Sequence, residues 1–214
     1  MNIHTADMQK TSTTNIYRYE LRGRILSTAM VAFRKKGIKA VKMDDIANEL
    51  SISKRTLYEI YTNKEDLLYE CVRDHDEMFE KKLKDMVSER ESTVIDILAC
   101  FMKLHIEEAS ETNPAFYSEL VKYPKLIDYI NERNERQRSR SRGFMQRGVE
   151  EGFFRSDIDY DITNLMVEVF MSHVMEKGLY KRLPLPEIIR NVVMVMLRGF
   201  STEKGLRRIE MLKL

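Results

Sequence analysis

Apolar residues recur along this chain at helical rather than strand spacing. Leu21, Ile25, Ala29 and Phe33 fall on every fourth residue, and Gly37 follows where a helix can close. The spacing predicts a helix over 18–36. Ile46, Ala47 and Leu50 mark one face of a short helix, and Leu57 and Tyr61, four apart, mark the face of a second. Ile52 lies in the tight connection between them, where it can plug the angle. Ser53 stands at the N-cap position of the second short helix, its hydroxyl able to accept from a free amide. Asn63 is placed to cap a further helix. Glu65 and Asp66 fall in its first turn, and Leu67, Leu68, Cys71, Val72, His75 and Phe79 follow along its inner face.

Beyond residue 80 the pattern remains that of stacked helices. Val94, Ile97, Leu98, Phe101, Leu104 and His105 line one. Asn113-Pro114 starts another, carrying Phe116, Tyr117, Leu120 and Val121 until Tyr123-Pro124 breaks it. A long polar helix is expected over about 126–151. Two segments, about 160–180 and 186–201, are apolar on several faces. Leu165, Met166, Val169, Phe170, His173 and Val174 line the first, and Ile188, Ile189, Val192, Val193, Met196, Leu197 and Phe200 the second. Helices this apolar must be covered, either by the rest of the monomer or by a partner. The fold class is therefore all-α. The expected organisation is a flexible arm over 1–15, a helix-turn-helix head over 16–64 and a helical body over 65–214.

Charge sharpens the picture. Residues 1–64 carry 12 Lys/Arg against 6 Asp/Glu, whereas the remainder carries 24 against 28, an asymmetry hidden in the overall +2. A basic head on a mildly acidic body is what a DNA-binding module joined to another domain should show. Lys54, Arg55 and Thr56 occupy the first turn of the second short helix. Two cations there oppose the helix dipole, and a phosphate backbone against that end would reverse the sign of the cost. Lys10 in the arm and Arg18 just after it are candidates for phosphate contact. The run Arg133 to Arg142 could be a second nucleic-acid patch, but Glu132 and Glu135 interleave with it and aromatics are absent, so a solvated helix face is the better reading.

Residues 22–68 resemble the N-terminal head of the tetracycline-repressor (TetR) family of transcriptional regulators. Ala29-Met30-Val31-Ala32-Phe33 followed by Gly37, then Asp45-Ile46-Ala47, Thr56-Leu57-Tyr58, and Tyr61-Thr62-Asn63-Lys64-Glu65-Asp66-Leu67 reproduce the family's successive signatures in order. Three positions depart from the pattern. Met43 stands where a threonine is usual, Tyr61 where phenylalanine is, and Ser51 where the turn glycine is. Ser51 matters most, because a positive φ there costs serine what it does not cost glycine. The stretch from Gly148 to Asp159 resembles the family at the turn into its last two helices.

The resemblance implies a dimeric repressor of a palindromic operator in double-stranded DNA, released by a small-molecule effector. Lys54, Arg55 and Thr56 would enter the groove, Arg55 reading guanine and Ile60 meeting a thymine methyl. Tyr58 and Lys64 would hold phosphates, with Lys42, Ser53 and Tyr61 also at the DNA surface and Glu59 either accepting from a cytosine amino group or solvated. A four-helix dimer interface would use Leu165, Val169, Ile189, Val193, Met196, Leu197 and Phe200. An effector pocket is expected from Phe101, Met102, His105, Phe116, Tyr117, Leu120, Phe144, Phe170 and His173, although a helical stripe is usually ordinary core. Fourteen methionines suit a plastic cavity for an apolar or amphipathic compound.

Other classes find less support. The glycines contain no G-x-G pair, and Val149 stands where a P-loop lysine would follow Gly143 and Gly148. There is no H-E-x-x-H and no nucleophile elbow, so no enzyme activity, metal or cofactor is expected. His75 between Asp74 and Asp76 is no metal site, because helix neighbours diverge. No apolar run approaches membrane-spanning length, residues 1–15 lack a signal's apolar stretch, and Cys71 and Cys100 read as reduced thiols of a cytoplasmic protein. The alternative is an architectural or cell-cycle DNA-binding protein on the same scaffold without an effector.

Overall fold

The computed structural model describes residues 3–88 and 92–212. Among them are ten α-helices and one 3₁₀ turn, in the order α1 (Ile3–Lys36), α2 (Met43–Glu49), α3 (Lys54–Ile60), α4 (Lys64–Ser88), α5 (Val94–Glu111), α6 (Ala115–Leu120), α7 (Pro124–Glu150), α8 (Tyr160–Glu176), the 3₁₀ turn (Leu179–Lys181), α9 (Leu185–Phe200) and α10 (Glu203–Leu212). No described helix is long and apolar enough to cross a membrane. The chain divides into two compact units, Met1–Glu77 and Met78–Leu214.

In the first unit, the predicted every-fourth-residue stripe of α1 is the buried face. Leu21, Ile25, Ala29 and Phe33 are all buried, together with Ile46 and Ala47 of α2, Leu57 of α3 and Leu67, Leu68 and Cys71 of α4. Gly37 ends α1 at φ +82, its amide donating to the Phe33 carbonyl at 2.9 Å. Helix α1 begins at Ile3, so residues 3–15 are helical where the sequence reading expects an arm. No glycine or proline precedes Gly23, so nothing in the covalent backbone interrupts the helix. Residues 1 and 2 lie outside the described residues. Arg22 and Arg73 both donate to the Glu70 carboxylate at 2.7 Å, tying α1 to α4 within this unit.

The second unit is organised along α5, which shares two apolar clusters. One gathers Val94, Ile95 and Met102 with Phe153, Phe154, Leu197, Phe200 and Ile209; the other joins Ala109 to Val174, Leu185 and Ile188. The turn after α7 holds the first cluster in place. Gly152, at φ +74, reverses the chain while the Phe153 amide donates back to the Gly148 carbonyl and the Gly152 amide to Val149. These paired bonds make a Schellman close, which satisfies carbonyls that the helix end leaves open. The chain then runs past the α9–α10 junction. Arg155 donates to the Phe200 carbonyl and Thr202 to that of Phe153, each at 2.9 Å.

The Phe154 ring meets Phe200 edge-on at 5.1 Å and lies directly over Gly148. Helix α10, which the sequence reading does not anticipate, is anchored by Ile209 and by two bonds from the Arg208 guanidinium to Asp96 at 2.7 and 3.2 Å. Partial burial alone would raise the Asp96 carboxyl. The Thr93 hydroxyl and Arg208 outweigh it and hold the group below the usual carboxylate range.

The arginine run of α7 is an ion-paired face. Arg138 meets Glu168 at 2.7 Å, Arg140 meets Glu80 at 3.0 Å and Arg142 meets Asp161 at 2.9 Å. These pairs are exposed and individually weak, but they favour the solvated reading over a second nucleic-acid patch.

A Cβ at position 148 would sit 2.0 Å from the Phe154 ring. Gly148→Ala is therefore expected to destabilise the protein by about 1–3 kcal/mol, as overpacking does. Urea denaturation checks this, and an unchanged midpoint would show that the ring moves aside freely.

Candidate nucleic-acid interface

Helix α3 presents this site, and its position is fixed from both ends. Ahead of it, α2 closes in a Schellman arrangement like that after α7. The Ile52 amide donates to the Ala47 carbonyl at 3.0 Å and the Ser51 amide to Asn48 at 3.0 Å. Ser51 occupies the left-handed region at φ +53, alone among the described non-glycine residues. The missing turn glycine thus has the expected consequence, a steric cost of about 1–2 kcal/mol for a side chain in that region.

Ser53 caps α3. Its Oγ accepts from the Thr56 amide at 3.0 Å and lies 2.8 Å from the Thr56 hydroxyl. Leu57 is fully buried and holds the helix to the first unit's core. At the other side, Asn63 caps α4, accepting from the Asp66 amide and donating to its carboxylate, both at 2.9 Å.

The outer face of α3 carries the expected polar groups. The Arg55 side chain is 89% exposed and bonds Glu59 at 2.8 Å, one turn on. Lys54 reaches across to Asp44 of α2 at 2.5 Å. These partners raise both cations' proton affinity, chiefly by hydrogen bonding. Tyr58 is about half-exposed, Lys42 is exposed, and Thr56 and Ile60 are intermediate.

Two expected DNA residues are placed elsewhere. Tyr61 is 4% exposed, a core residue rather than a groove residue. Its ring lies 5.9 Å from the Arg22 guanidinium, and burial pushes its hydroxyl up to about 12 although Arg22 opposes the shift. The phenol lies in the interior of the first unit, with the Arg22 guanidinium of α1 beside its ring. Lys64 donates to the carbonyls of Ile38 and Val41 at 2.9 and 3.0 Å. Its ammonium closes the segment between α1 and α2, a structural use that its proximity to the motif conceals. Asp44 is the group that sequence reading misses. Its only signal is an acidic residue at the start of α2, and the contact with Lys54 depends on the angle of the intervening turn.

The other two sets, within the second unit, are redistributed. Of the expected interface, Leu165 and Val169 lie on an exposed apolar stripe of α8, together with Ile162, Met166 and Phe170. Ile189, Val193 and Met196 are partly buried against the two clusters. Leu197 and Phe200 are core, 0% and 7% exposed, because their face of α9 packs on α5. The nine expected pocket residues are distributed among an aromatic stack, the two apolar clusters and the outer side of α8. Phe101 and His105 stack with Phe79 at 4.3–6.1 Å. Met102 and Phe144 join the Phe154 cluster, and Tyr117 joins the Val174 cluster beside the buried Phe116. Leu120 is half-buried, whereas Phe170 and His173 face outward on α8. A shallow groove of about 300 Å³ lies beside Phe153, Lys204 and Met211.

Comparison with known proteins bears on the head first. Residues 25–71 match the family described as bacterial regulatory proteins, tetR family. The HTH-type transcriptional repressor KstR2 of Mycobacterium tuberculosis is 27% identical over 146 residues, 66% of this chain and 72% of that protein. A protein of Saccharomonospora viridis, described as a transcriptional regulator and solved with choline, shares the fold with a TM-score of 0.70 at 21% identity, over 86% of this chain and all of that one. FadR of Bacillus subtilis, solved with stearoyl-CoA, does so with a TM-score of 0.61 at 16% identity, over 83% and 98% of the two chains.

Two substitutions test how the head is held. Ser51→Gly removes the left-handed penalty but adds freedom to the unfolded chain, and a net gain of about 0.5–1 kcal/mol is expected. Lys64→Met keeps the apolar stem and leaves two carbonyls without their donor, a loss of about 1–3 kcal/mol. Thermal and urea unfolding report both, and opposite signs would refute these assignments.

Proposed function

The chain belongs to the TetR family of bacterial regulatory proteins and is a DNA-binding transcriptional regulator; from that premise we propose that it represses transcription as a homodimer on a palindromic operator and is released by a small apolar or amphipathic effector. The observation that carries this reading is the division of α3 into one locked face and one open face. Leu57 is buried while Lys54, Arg55 and Tyr58 are exposed. Such a helix can enter the major groove without unfolding anything behind it. Arg55 reads guanine through its paired donors, and Lys54 and Thr56 work beside it at the groove. Ile60 meets a thymine methyl. Tyr58 and Lys42 hold phosphates and set register, and Ser53 serves as cap as well as contact.

The dimer reading is supported by α8. Ile162, Leu165, Met166 and Val169 are each between 52% and 59% exposed, at spacings that align them along one side of the helix. An apolar stripe of this kind is a protein contact, and a second copy supplies its match by two-fold symmetry. Val195 of α9 is also exposed, at 72%. A dimer presents two α3 helices, each reading one half-site, about 34–36 Å apart along the DNA.

The effector enters the body along α5, where Phe101 and His105 stack with Phe79 and Met102 lies in the Phe154 cluster. The choline and stearoyl-CoA of the two structural relatives lie in proteins of this fold. Release is a population shift: an effector that favours the conformer with badly spaced heads weakens DNA binding by its difference in affinity for the two conformers.

Selection of binding fragments from genomic DNA, followed by fluorescence anisotropy, tests the reading. The wild type should prefer a selected fragment over a scrambled duplex. Arg55→Ala should relax the preference at one base position, and Val169→Glu should give monomers in sedimentation and lose the tight complex. A protein that enriches no fragment would contradict the regulator reading, and one that stays dimeric with Glu at 169 would contradict the interface.

A further inference from the structure

Resting on the proposed DNA site, we infer that Asp44 and Glu59 are specificity-determining residues: their carboxylates hold the two groove cations away from random DNA. The geometry that leads there is specific to the head. Asp44 and Asp45 both fall in the first turn of α2, but only Asp45 makes the cap, accepting from the Lys42 amide at 2.9 Å. Asp44 instead turns toward α3 and takes the Lys54 ammonium at 2.5 Å. On α3 itself, Glu59 takes the Arg55 Nε–H at 2.8 Å. Both cations named for base reading therefore meet a carboxylate in the DNA-free head.

All four side chains are between 42% and 89% exposed. Neither pair therefore contributes much to the stability of the fold, and both partners exchange with solvent easily. What the pairs change is the balance between two modes of DNA binding. Loose, non-specific binding gains almost all of its free energy from cations that displace counterions at phosphates. A lysine on Asp44 and an arginine on Glu59 must first leave their carboxylates to do that, and the two carboxylates bring negative charge toward the duplex. A matching base edge gives Arg55 two aligned hydrogen bonds, worth about 1–3 kcal/mol of discrimination, which is enough to displace a solvated carboxylate. The acids thus act against random DNA more than against operator DNA, the repulsive half of a specificity device.

The test compares wild type, Asp44→Asn and Glu59→Gln on a selected fragment and on a scrambled duplex of the same length across a salt series. Each substitution is expected to tighten binding to scrambled DNA about five- to tenfold near 0.1 M salt, and to steepen its log–log salt slope by about 0.9, the signature of one added phosphate contact. The selected fragment should gain less, so the ratio between the two affinities falls. In a Lys54→Met background, Asp44→Asn should bring no further gain on scrambled DNA, so that the double variant binds it no tighter than Lys54→Met alone, whereas a general effect of charge would persist between those two. A wild type that prefers its fragment, with variants whose scrambled-DNA affinity and slope do not move, overturns the inference and leaves the regulator reading standing. A gain that survives Lys54→Met also overturns it for Asp44. Absence of DNA binding by every form overturns both.

Discussion

A helix of seven residues does not hold itself in water. Nucleating its first turn costs more than so few hydrogen bonds return, and isolated helices become marginal below about 12–15 residues. Helix α3 is such a helix, so its existence and its direction both depend on what grips it. The fully buried Leu57 supplies the lateral grip, the Ser53 hydroxyl closes its N-terminal end, and the close of α2 at Ser51 sets where it starts. Everything proposed about base reading presumes that this short element points one way. The αL serine is the weak point of that arrangement: a turn normally relieved by glycine is kept here under a modest steric load.

The second unit solves a different problem. Its interior is satisfied by the two clusters along α5, and the glycine beneath Phe154 shows how closely the first of them is filled. One face is left out of this economy of burial. The stripe on α8 projects apolar groups outward while the acidic residues Asp161 and Glu168 are taken up by arginines of α7. Polar groups and ion pairs flank the stripe, which is the division that the proposed interface calls for, apolar in the middle and polar at its rim.

How much of this could be read from sequence depended on whether a feature is local. The helix-turn-helix, the Ser53 and Asn63 caps and the consequence of serine at position 51 all rest on residues within a few positions of one another, and each was legible. Tyr61 and Lys64 depart from the expectation because adjacency to a motif does not say which way a side chain turns. The ring goes inward beneath Arg22, and the ammonium goes to carbonyls more than 20 positions earlier in the chain. Leu197 and Phe200 were misread for a related reason. On a helix apolar on several faces, periodicity alone does not distinguish the face that meets α5 from the face that meets a partner. The nine expected pocket residues come from four helices and were chosen for a shared chemical character, which does not say which of them are neighbours.

Footprinting a selected DNA fragment with hydroxyl radicals tests the central claim most directly, because it reads the spacing of the two α3 helices on the duplex. Two protected patches on one face, centred about one helical turn or 34–36 Å apart and related by the symmetry of the sequence, are predicted. A single patch, or uniform weak protection that shifts with salt alone, would contradict the dimeric, sequence-reading regulator described above.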